Sequence, residues 1–129
     1  SFYISKLSQI SLMAVSRHEV SKYGIAKFDA SGKFLTGLVE KPAAEKAPSN
    51  LASIGRYVLN PEIFDVLRVI RPGANNEIQL ADALNVLAKK NRVGSVTFEG
   101  KRFDCGSIEG FLDAVMFEVK SRQIEMKDE

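Results

Sequence analysis

The chain contains no tryptophan, one cysteine and one histidine among its 129 residues. A single cysteine, Cys105, excludes an internal disulfide bond, and with no signal peptide visible the sequence favours a reducing compartment, the cytoplasm. We expect Cys105 to be a small buried apolar side chain rather than a nucleophile. No Cys or Asp pattern around His18 indicates a metal site or a catalytic triad, so we expect it to lie on the surface.

Three further features are missing from the sequence. No apolar run approaches the roughly 20 residues that span a bilayer, so we expect no membrane partner. The 18 basic and 16 acidic residues leave a net charge of only +2 and are interspersed, which argues against a nucleic-acid partner. The nine glycines are scattered and form neither G-x-G-x-x-G nor G-x-x-x-x-G-K-[ST]. The chain therefore has no glycine-rich loop of the kind that cradles a nucleotide triphosphate.

What is present predicts one globular domain, since the length suits a single domain and 45% of the residues are hydrophobic. Phe2, Tyr3 and Leu7 are interpreted as the end of a helix. Apolar runs then predict strands over residues 9–16, 23–28, 34–39, 51–59 and 93–98. The first of these runs is almost continuously apolar, which is typical of a central strand covered on both faces.

Three helices follow from capping residues and helical periodicity. Asn60-Pro61 predicts the start of the first helix, Asn76 with Gln79 predicts the second, and Ser107 predicts the third. A polar tail over residues 121–129 is expected to fray. The apolar residues with helical spacing are Ile63, Phe64, Leu67 and Ile70 in the first helix, Leu80, Ala83, Leu84 and Leu87 in the second, and Ile108, Phe111, Leu112, Val115 and Val119 in the third.

The end of the third strand combines two charged side chains. Glu40 can accept hydrogen bonds from hydroxyl groups, Lys41 can neutralise a phosphate, and Pro42 ends the strand because it has no backbone donor. The two side chains can therefore bind a sugar phosphate. The alternative interpretation is a solvated strand exit without a ligand.

Two other positions can contribute to a ligand site. Gly55 inside the fourth strand indicates a bulge or the close approach of a ligand. Asp104 lies between a short extended segment and a helix start, where a carboxylate and backbone N–H groups suit magnesium and phosphate. The alternative for Asp104 is a helix cap.

Five segments in this order resemble the bacterial UTP–glucose-1-phosphate uridylyltransferases, within the sugar-phosphate nucleotidyltransferase superfamily. The segments read YGI, VEKP, APSNLASIGRY, EIQLADAL and FDCGS, and the resemblance covers roughly residues 12 to 119. It implies the α/β class, as the C-terminal portion of a Rossmann-like nucleotide-diphospho-sugar transferase fold with a mixed sheet flanked by helices. Because the family's glycine-rich nucleotide loop is missing, the chain resembles the C-terminal, sugar-phosphate-binding half of such an enzyme, without its nucleotide-binding half.

The resemblance also implies roles for individual residues. Glu40 matches a residue that contacts the glucose hydroxyls, and Lys41 matches the residue that binds the sugar phosphate and supplies catalytic charge. Gly24 matches a glycine whose backbone approaches the sugar, its alternative being a strand bulge. Ser53 and Ile54 match residues lining the sugar pocket. Asp104 matches a magnesium ligand whose partner Asp belongs to the missing half.

Glu77 and Asp82 match the family's Glu-Ile-Gln-Leu-Thr-Asp motif, with Ala81 where Thr is usual. For Glu77, stabilisation of a helix N-terminus is the favoured alternative to a ligand contact.

The implied cofactor is Mg²⁺, and the implied ligands are glucose 1-phosphate, UTP and UDP-glucose. Self-association into a homo-oligomer is expected, because a half-domain exposes a sheet edge and an apolar face. Two alternatives stay open: a thymidylyl- or cytidylyltransferase, and a sugar-binding or assembly module without chemistry. The whole enzyme is expected to be active and this chain alone inactive.

Overall fold

The computed structural model describes residues 7–73 and 76–125, which form two compact units. The first unit extends to Phe98 and the second begins at Glu99. Phe2 and Tyr3, the core of the predicted first helical segment, lie outside the described residues, as do the last four residues of the predicted tail. No helix among the described residues combines the length and apolar character needed to cross a membrane.

The first unit is built on a mixed sheet of five strands in the order β3-β2-β4-β1-β5. Its strands are β1 Ser8–Ala14, β2 Gly24–Phe28, β3 Leu35–Glu40, β4 Leu51–Val58 and β5 Val93–Thr97. The β1–β5 pair is parallel and the other pairs are antiparallel. The α-helices among the described residues are α1 Glu62–Val69, α2 Leu80–Ala88 and α3 Ile108–Glu125. The α/β class and the mixed sheet are as predicted.

Strand β1 is an interior strand of the sheet but is fully buried on one face only. Ser8, Ile10 and Leu12 are buried, whereas the alternating residues Gln9 and Ser11 are half-buried. The apolar run therefore predicted the strand correctly and overestimated the cover on its second face. The buried side chains join α1 and α2 in the main core.

The β2–β3 hairpin is closed by its turn residues. The Asp29 carboxylate accepts hydrogen bonds from the Ser31 hydroxyl and from the N–H groups of Lys33 and Phe34. These bonds, with the Ser31 hydroxyl foremost, hold the pKa of Asp29 below its ordinary value. Gly32 occupies the left-handed region with φ 71°. The hairpin predicted from these turn formers is confirmed.

Helix α1 starts as predicted, because the Asn60 side-chain oxygen accepts the N–H of Glu62 at 3.2 Å. One of the apolar residues named from the sequence is not covered by the core. Phe64 is 60% exposed, whereas Val66, which the prediction omitted, is buried beside Ile63. The buried positions of α1 are thus three residues apart, and Phe64 falls beyond the edge of that stripe.

Helix α2 begins at Leu80, four residues later than predicted. Asn76 has a left-handed backbone with φ 59°, unlike the extended backbone that is typical of an N-cap, and the Glu77 carbonyl accepts the N–H of Gly73 in the preceding turn. Gln79 is extended, and its amide donates to the Glu77 carboxylate instead of capping the helix. The stripe itself is as predicted, since Ala83, Leu84 and Leu87 are buried and Leu80 is half-buried.

The second unit consists of a short connection and α3. Ser107 caps α3 as predicted, because its hydroxyl oxygen accepts the N–H of Gly110 at 3.0 Å. The apolar positions named from the sequence are all exposed, and the exposed apolar side chains of α3 are Ile108, Phe111, Leu112, Val115, Met116, Phe117 and Val119. Apolar residues are distributed around this helix, so they do not form a single apolar face. Within the unit, the Phe103 and Phe117 rings lie 5.4 Å apart.

Candidate functional site

The residues predicted to bind a sugar phosphate meet where the β2–β3 hairpin joins the rest of the sheet. Gly24, the first residue of β2, pairs with Glu40, the last residue of β3. The N–H of Lys41 donates to the Tyr23 carbonyl at 2.9 Å, which continues the pairing one step beyond the strand. Glu40 and Lys41 are exposed. Their side chains are thus accessible to a ligand and rest on a fixed backbone.

The missing side chain of Gly24 leaves room for the Glu40 carboxylate. A Cβ atom at this position would lie 3.1 Å from Glu40 Oε2, closer than ordinary van der Waals contact. The irregularity in the β2–β3 register falls at Lys27 and Phe28, so the bulge interpretation of Gly24 is wrong. A side chain at position 24 would therefore crowd the Glu40 carboxylate, and the contact of the Gly24 backbone with a sugar stays a prediction.

Lys41 has an unusual backbone conformation for a residue with a side chain. Its φ is 44°, in the left-handed region, and it directly precedes Pro42, which is buried. Such a conformation costs on the order of 1–3 kcal/mol and persists where surrounding contacts fix it. Here the bond to Tyr23 and the buried proline flank the strained residue. Strain of this kind is concentrated at ligand sites, which supports the choice of Lys41.

Strand β4 places Ser53 near the same end of the hairpin, on the side of β2. Ile25 of β2 pairs with Ala52, and the antiparallel register then places Gly24 next to Ser53. The Ser53 and Tyr57 hydroxyl oxygens lie 3.2 Å apart. Ser53 and Ile54 are half-buried, which is compatible with lining a pocket.

The bulge predicted at Gly55 is confirmed. Leu12 pairs with Ser53 and Ile10 pairs with Tyr57, so residues 54–56 of β4 stand opposite one residue of β1. Gly55 adopts φ 75° and nothing lies within 4 Å of where its Cβ would be. The bulge shortens the separation of Ser53 and Tyr57, which allows their hydroxyls to meet.

Asp104 belongs to the second unit and is exposed. Its Oδ1 accepts the N–H of Gly106 at 3.2 Å, while its backbone carbonyl accepts the N–H and hydroxyl of Ser107. Because Ser107 provides the side-chain cap, the helix-cap interpretation of the Asp104 carboxylate is wrong. Cys105 is also exposed, contrary to the expectation of burial.

One exposed carboxylate fits one ligand position of magnesium, which uses one or two carboxylates with phosphate oxygens and water. Within residues 7–73 and 76–125, no group of three or more His, Cys, Asp or Glu side chains could enclose a metal ion. The role of Asp104 as a magnesium ligand stays a prediction.

The sequence reasoning missed Asn85 on α2. Its side-chain amide forms two hydrogen bonds with the backbone of Leu38, two residues before Glu40. Asn85 follows the buried Leu84 in the helix and is itself half-buried. A polar amide beside an apolar stripe was the available signal. His18, by contrast, is exposed as predicted.

Comparison with known families decides where this arrangement belongs. The profile of the family described as nucleotidyl transferase matches residues 2–121. The chain belongs to this family. Among curated relatives, the UTP–glucose-1-phosphate uridylyltransferase of Pseudomonas aeruginosa is 46% identical over 111 residues, and that of Streptococcus pneumoniae is 45% identical over 123 residues. These alignments cover 84% and 92% of this chain but only 40% and 41% of the relatives.

Solved structures of the family confirm the predicted fold class. The chain matches apo UDP-glucose pyrophosphorylase with a TM-score of 0.82 and 44% identity, covering 94% of this chain and 45% of that protein. It matches a UDP-glucose pyrophosphorylase complexed with UDP-glucose with a TM-score of 0.78 and 43% identity, covering 93% of this chain and 47% of that protein. The chain thus has the fold of part of a nucleotidyl transferase and spans less than half of its relatives.

Proposed function

We propose that this chain is the C-terminal, sugar-phosphate-binding part of a UTP–glucose-1-phosphate uridylyltransferase. The whole enzyme would make UDP-glucose and pyrophosphate from UTP and glucose 1-phosphate. The observation that carries the proposal is the hairpin end, where Gly24, Glu40 and the strained Lys41 lie together. Family membership and relatives of this name at 45–46% identity support it.

Each residue of the hairpin end has a role in the proposal. The Glu40 carboxylate accepts hydrogen bonds from glucose hydroxyls, and the Lys41 ammonium neutralises the sugar phosphate. The Gly24 backbone lies against the sugar, and Ser53 and Ile54 line the pocket. The 2.9 Å bond from Lys41 to Tyr23 fixes the backbone that carries the ammonium, so positioning does not depend on the long side chain alone.

The proposed chemistry is a single in-line displacement. A phosphate oxygen of glucose 1-phosphate forms a bond to the α-phosphorus of UTP, and the bond from that phosphorus to the pyrophosphate leaving group breaks. No covalent intermediate with the protein and no general base are required, because the sugar phosphate is already an anionic nucleophile. Lys41 reduces the repulsion between two anions as they approach. Asp104 would hold Mg²⁺, which when bound supplies further positive charge at the phosphate oxygens.

The remaining expectations are part of the same proposal. Three predictions remain: the enzyme is cytoplasmic, residues 1–129 form one structural domain, and the protein assembles into a homo-oligomer. The exposed apolar side chains of α3 support the last of these. A thymidylyltransferase is less well supported. The putative glucose-1-phosphate thymidylyltransferase of Bacillus anthracis shares only 21% identity with the chain, which shows the fold alone.

The test is a calorimetric or NMR titration of glucose 1-phosphate and UDP-glucose into this chain, with and without Mg²⁺. The informative variant is Lys41→Asn, because asparagine removes the charge yet tolerates a left-handed backbone. Lys46→Ala removes another exposed lysine from the same loop and is the matched control. We expect saturable binding that weakens by about 10- to 100-fold in Lys41→Asn, the usual loss for one charged hydrogen-bond partner, and is unchanged in Lys46→Ala.

Two results would contradict the proposal. One is a folded chain to which neither ligand binds saturably, which would leave an assembly module as the better interpretation. The other is equal binding by Lys41→Asn and the unmodified chain, which would remove Lys41 from the site. For this chain alone we expect binding of glucose 1-phosphate but no formation of UDP-glucose, since the sequence contains no nucleotide loop.

A further inference from the structure

The strand that carries Glu40 and Lys41 is held on its outer side by a side chain from α2. Strand β3 is the last strand of the described sheet, so one row of its backbone groups has no partner strand. The N–H of Leu38 in that strand donates to Asn85 Oδ1 at 2.6 Å, and Asn85 Nδ2 donates to the Leu38 carbonyl at 3.2 Å. The amide thus satisfies both backbone groups of one residue, as a neighbouring strand would.

The hairpin depends on such contacts because its pairing with the rest of the sheet is short. Strand β2 pairs with β4 at one position, Ile25 with Ala52. Near this pair, the Ser49 hydroxyl donates to the Ala26 carbonyl at 2.6 Å. A hairpin joined to its sheet at one ladder position can pivot there unless its other strand is also held. Ala26 and Leu35 of the hairpin pack in the main core, and the Asn85 amide adds an attachment by hydrogen bonds on the opposite side of the hairpin.

The surroundings of Asn85 are suited to holding a strand in place. Its neighbour Leu84 and the following Leu87 are buried in the core, which fixes α2 against the sheet. The absent side chain of Gly37 allows the amide to approach, since a Cβ there would lie 3.1 Å from Asn85 Oδ1. The residue therefore stands on a rigid element and contacts β3 through a gap left by a glycine.

We propose that Asn85 is a positioning residue, which sets the placement of Glu40 and Lys41 for a sugar phosphate by holding the outer edge of β3 at Leu38. This inference rests on the proposed function of the hairpin end. Leu38 is three residues from Lys41, so a shift of β3 at this point changes where the ammonium and the carboxylate lie. Asn85 itself touches only the backbone of β3 in this role.

The test compares Asn85→Ala with Asn85→Asp and with Val66→Ala. Asn85→Asp retains the acceptor for the Leu38 N–H and loses the donor to its carbonyl. Val66→Ala removes buried methyl groups from α1 and is the control for a general loss of stability, because it makes no contact of this kind with β3. The first measurement is made without ligand: amide exchange at Leu38, and the backbone NMR signals of Glu40 and Lys41, including the short intraresidue HN–Hα distance that a positive φ gives.

In Asn85→Ala we expect Leu38 exchange to accelerate about tenfold or more and the Lys41 signals to lose their positive-φ character, with a smaller effect in Asn85→Asp and none in Val66→Ala. Affinity for glucose 1-phosphate should fall about tenfold in Asn85→Ala alone. Unchanged Leu38 and Lys41 signals in Asn85→Ala, or equal changes in Val66→Ala, would overturn the inference. If the unmodified chain binds no glucose 1-phosphate, the proposed function fails, yet the ligand-free signals still decide whether Asn85 positions Lys41.

Discussion

Replacing Gly55 by alanine isolates the energetic cost of the β4 bulge. Gly55 has φ 75°, and no heavy atom lies within 4 Å of the position that a Cβ would take. Steric clash with neighbouring residues therefore adds nothing to the change in the free energy of unfolding. What remains is the backbone penalty of a left-handed L-residue, about 1–2 kcal/mol, reduced by about 0.4–1 kcal/mol because alanine restricts the unfolded chain. We expect Gly55→Ala to lower the free energy of unfolding by about 1 kcal/mol.

Urea unfolding followed by circular dichroism measures this difference, with the midpoint falling by roughly 0.5 M at an unchanged slope. Two variants serve as controls. Gly55→Asn should lose less stability, because asparagine tolerates the left-handed region. Gly32→Ala, in the hairpin turn at φ 71° with equally open surroundings, should lose about as much as Gly55→Ala.

A Gly55→Ala chain as stable as the unmodified one, alongside a destabilised Gly32→Ala, would refute the reasoning, since the bulge would then have no need of a left-handed residue. The same variants separate the two interpretations of this glycine. If Gly55→Asn keeps its stability and also its affinity for glucose 1-phosphate, Gly55 serves the bulge. If stability is kept and affinity is lost, the backbone of Gly55 is a place of ligand approach.

Two further predictions concern single side chains. The pKa of Asp29 is lowered in the folded chain, so its carboxylate stabilises the hairpin at pH values above the unfolded pKa of about 3.9. This stabilisation is lost as the pH falls through the lowered pKa. A carboxyl NMR titration should give Asp29 a lower pKa in the unmodified chain than in Ser31→Ala, and equal values would contradict the assignment. Cys105 is exposed, so a thiol reagent should modify the folded chain without denaturant; a reaction that proceeds only in urea would show a buried thiol.

Sequence patterns predicted those parts of the fold that are encoded locally. Asp29 and Ser31 form the hairpin turn through contacts within a few residues, and Asn60 caps α1 in the same way. The periodic pattern failed where tertiary packing chooses between similar residues. Phe64 and Val66 are both apolar, and only the arrangement of α1 on the sheet makes one exposed and the other buried. Likewise, the start of α2 depends on a backbone reversal at Asn76 that composition does not specify.

The sequence predicted the charged side chains of the candidate site but not the backbone conformation that carries them. The order of Glu40, Lys41 and Pro42 in the sequence indicates a carboxylate and an ammonium at a strand end. The left-handed Lys41 is hydrogen-bonded to Tyr23, and β3 is hydrogen-bonded to Asn85, 47 positions away from Leu38. A contact between residues so distant in the chain leaves no local pattern to read.

The parallel pairing of β1 with β5 also has a consequence for how the chain folds. The β2–β3 hairpin joins neighbouring segments and requires only a short loop to close, whereas Ser8 pairs with Val93 at the far end of the first unit. Closing the longer loop costs more chain entropy, so long-range pairing of this kind slows folding. During synthesis, β1 has its antiparallel neighbour β4 well before β5 emerges. A nascent chain that stops short of Val93 therefore leaves one edge of β1 open to other chains.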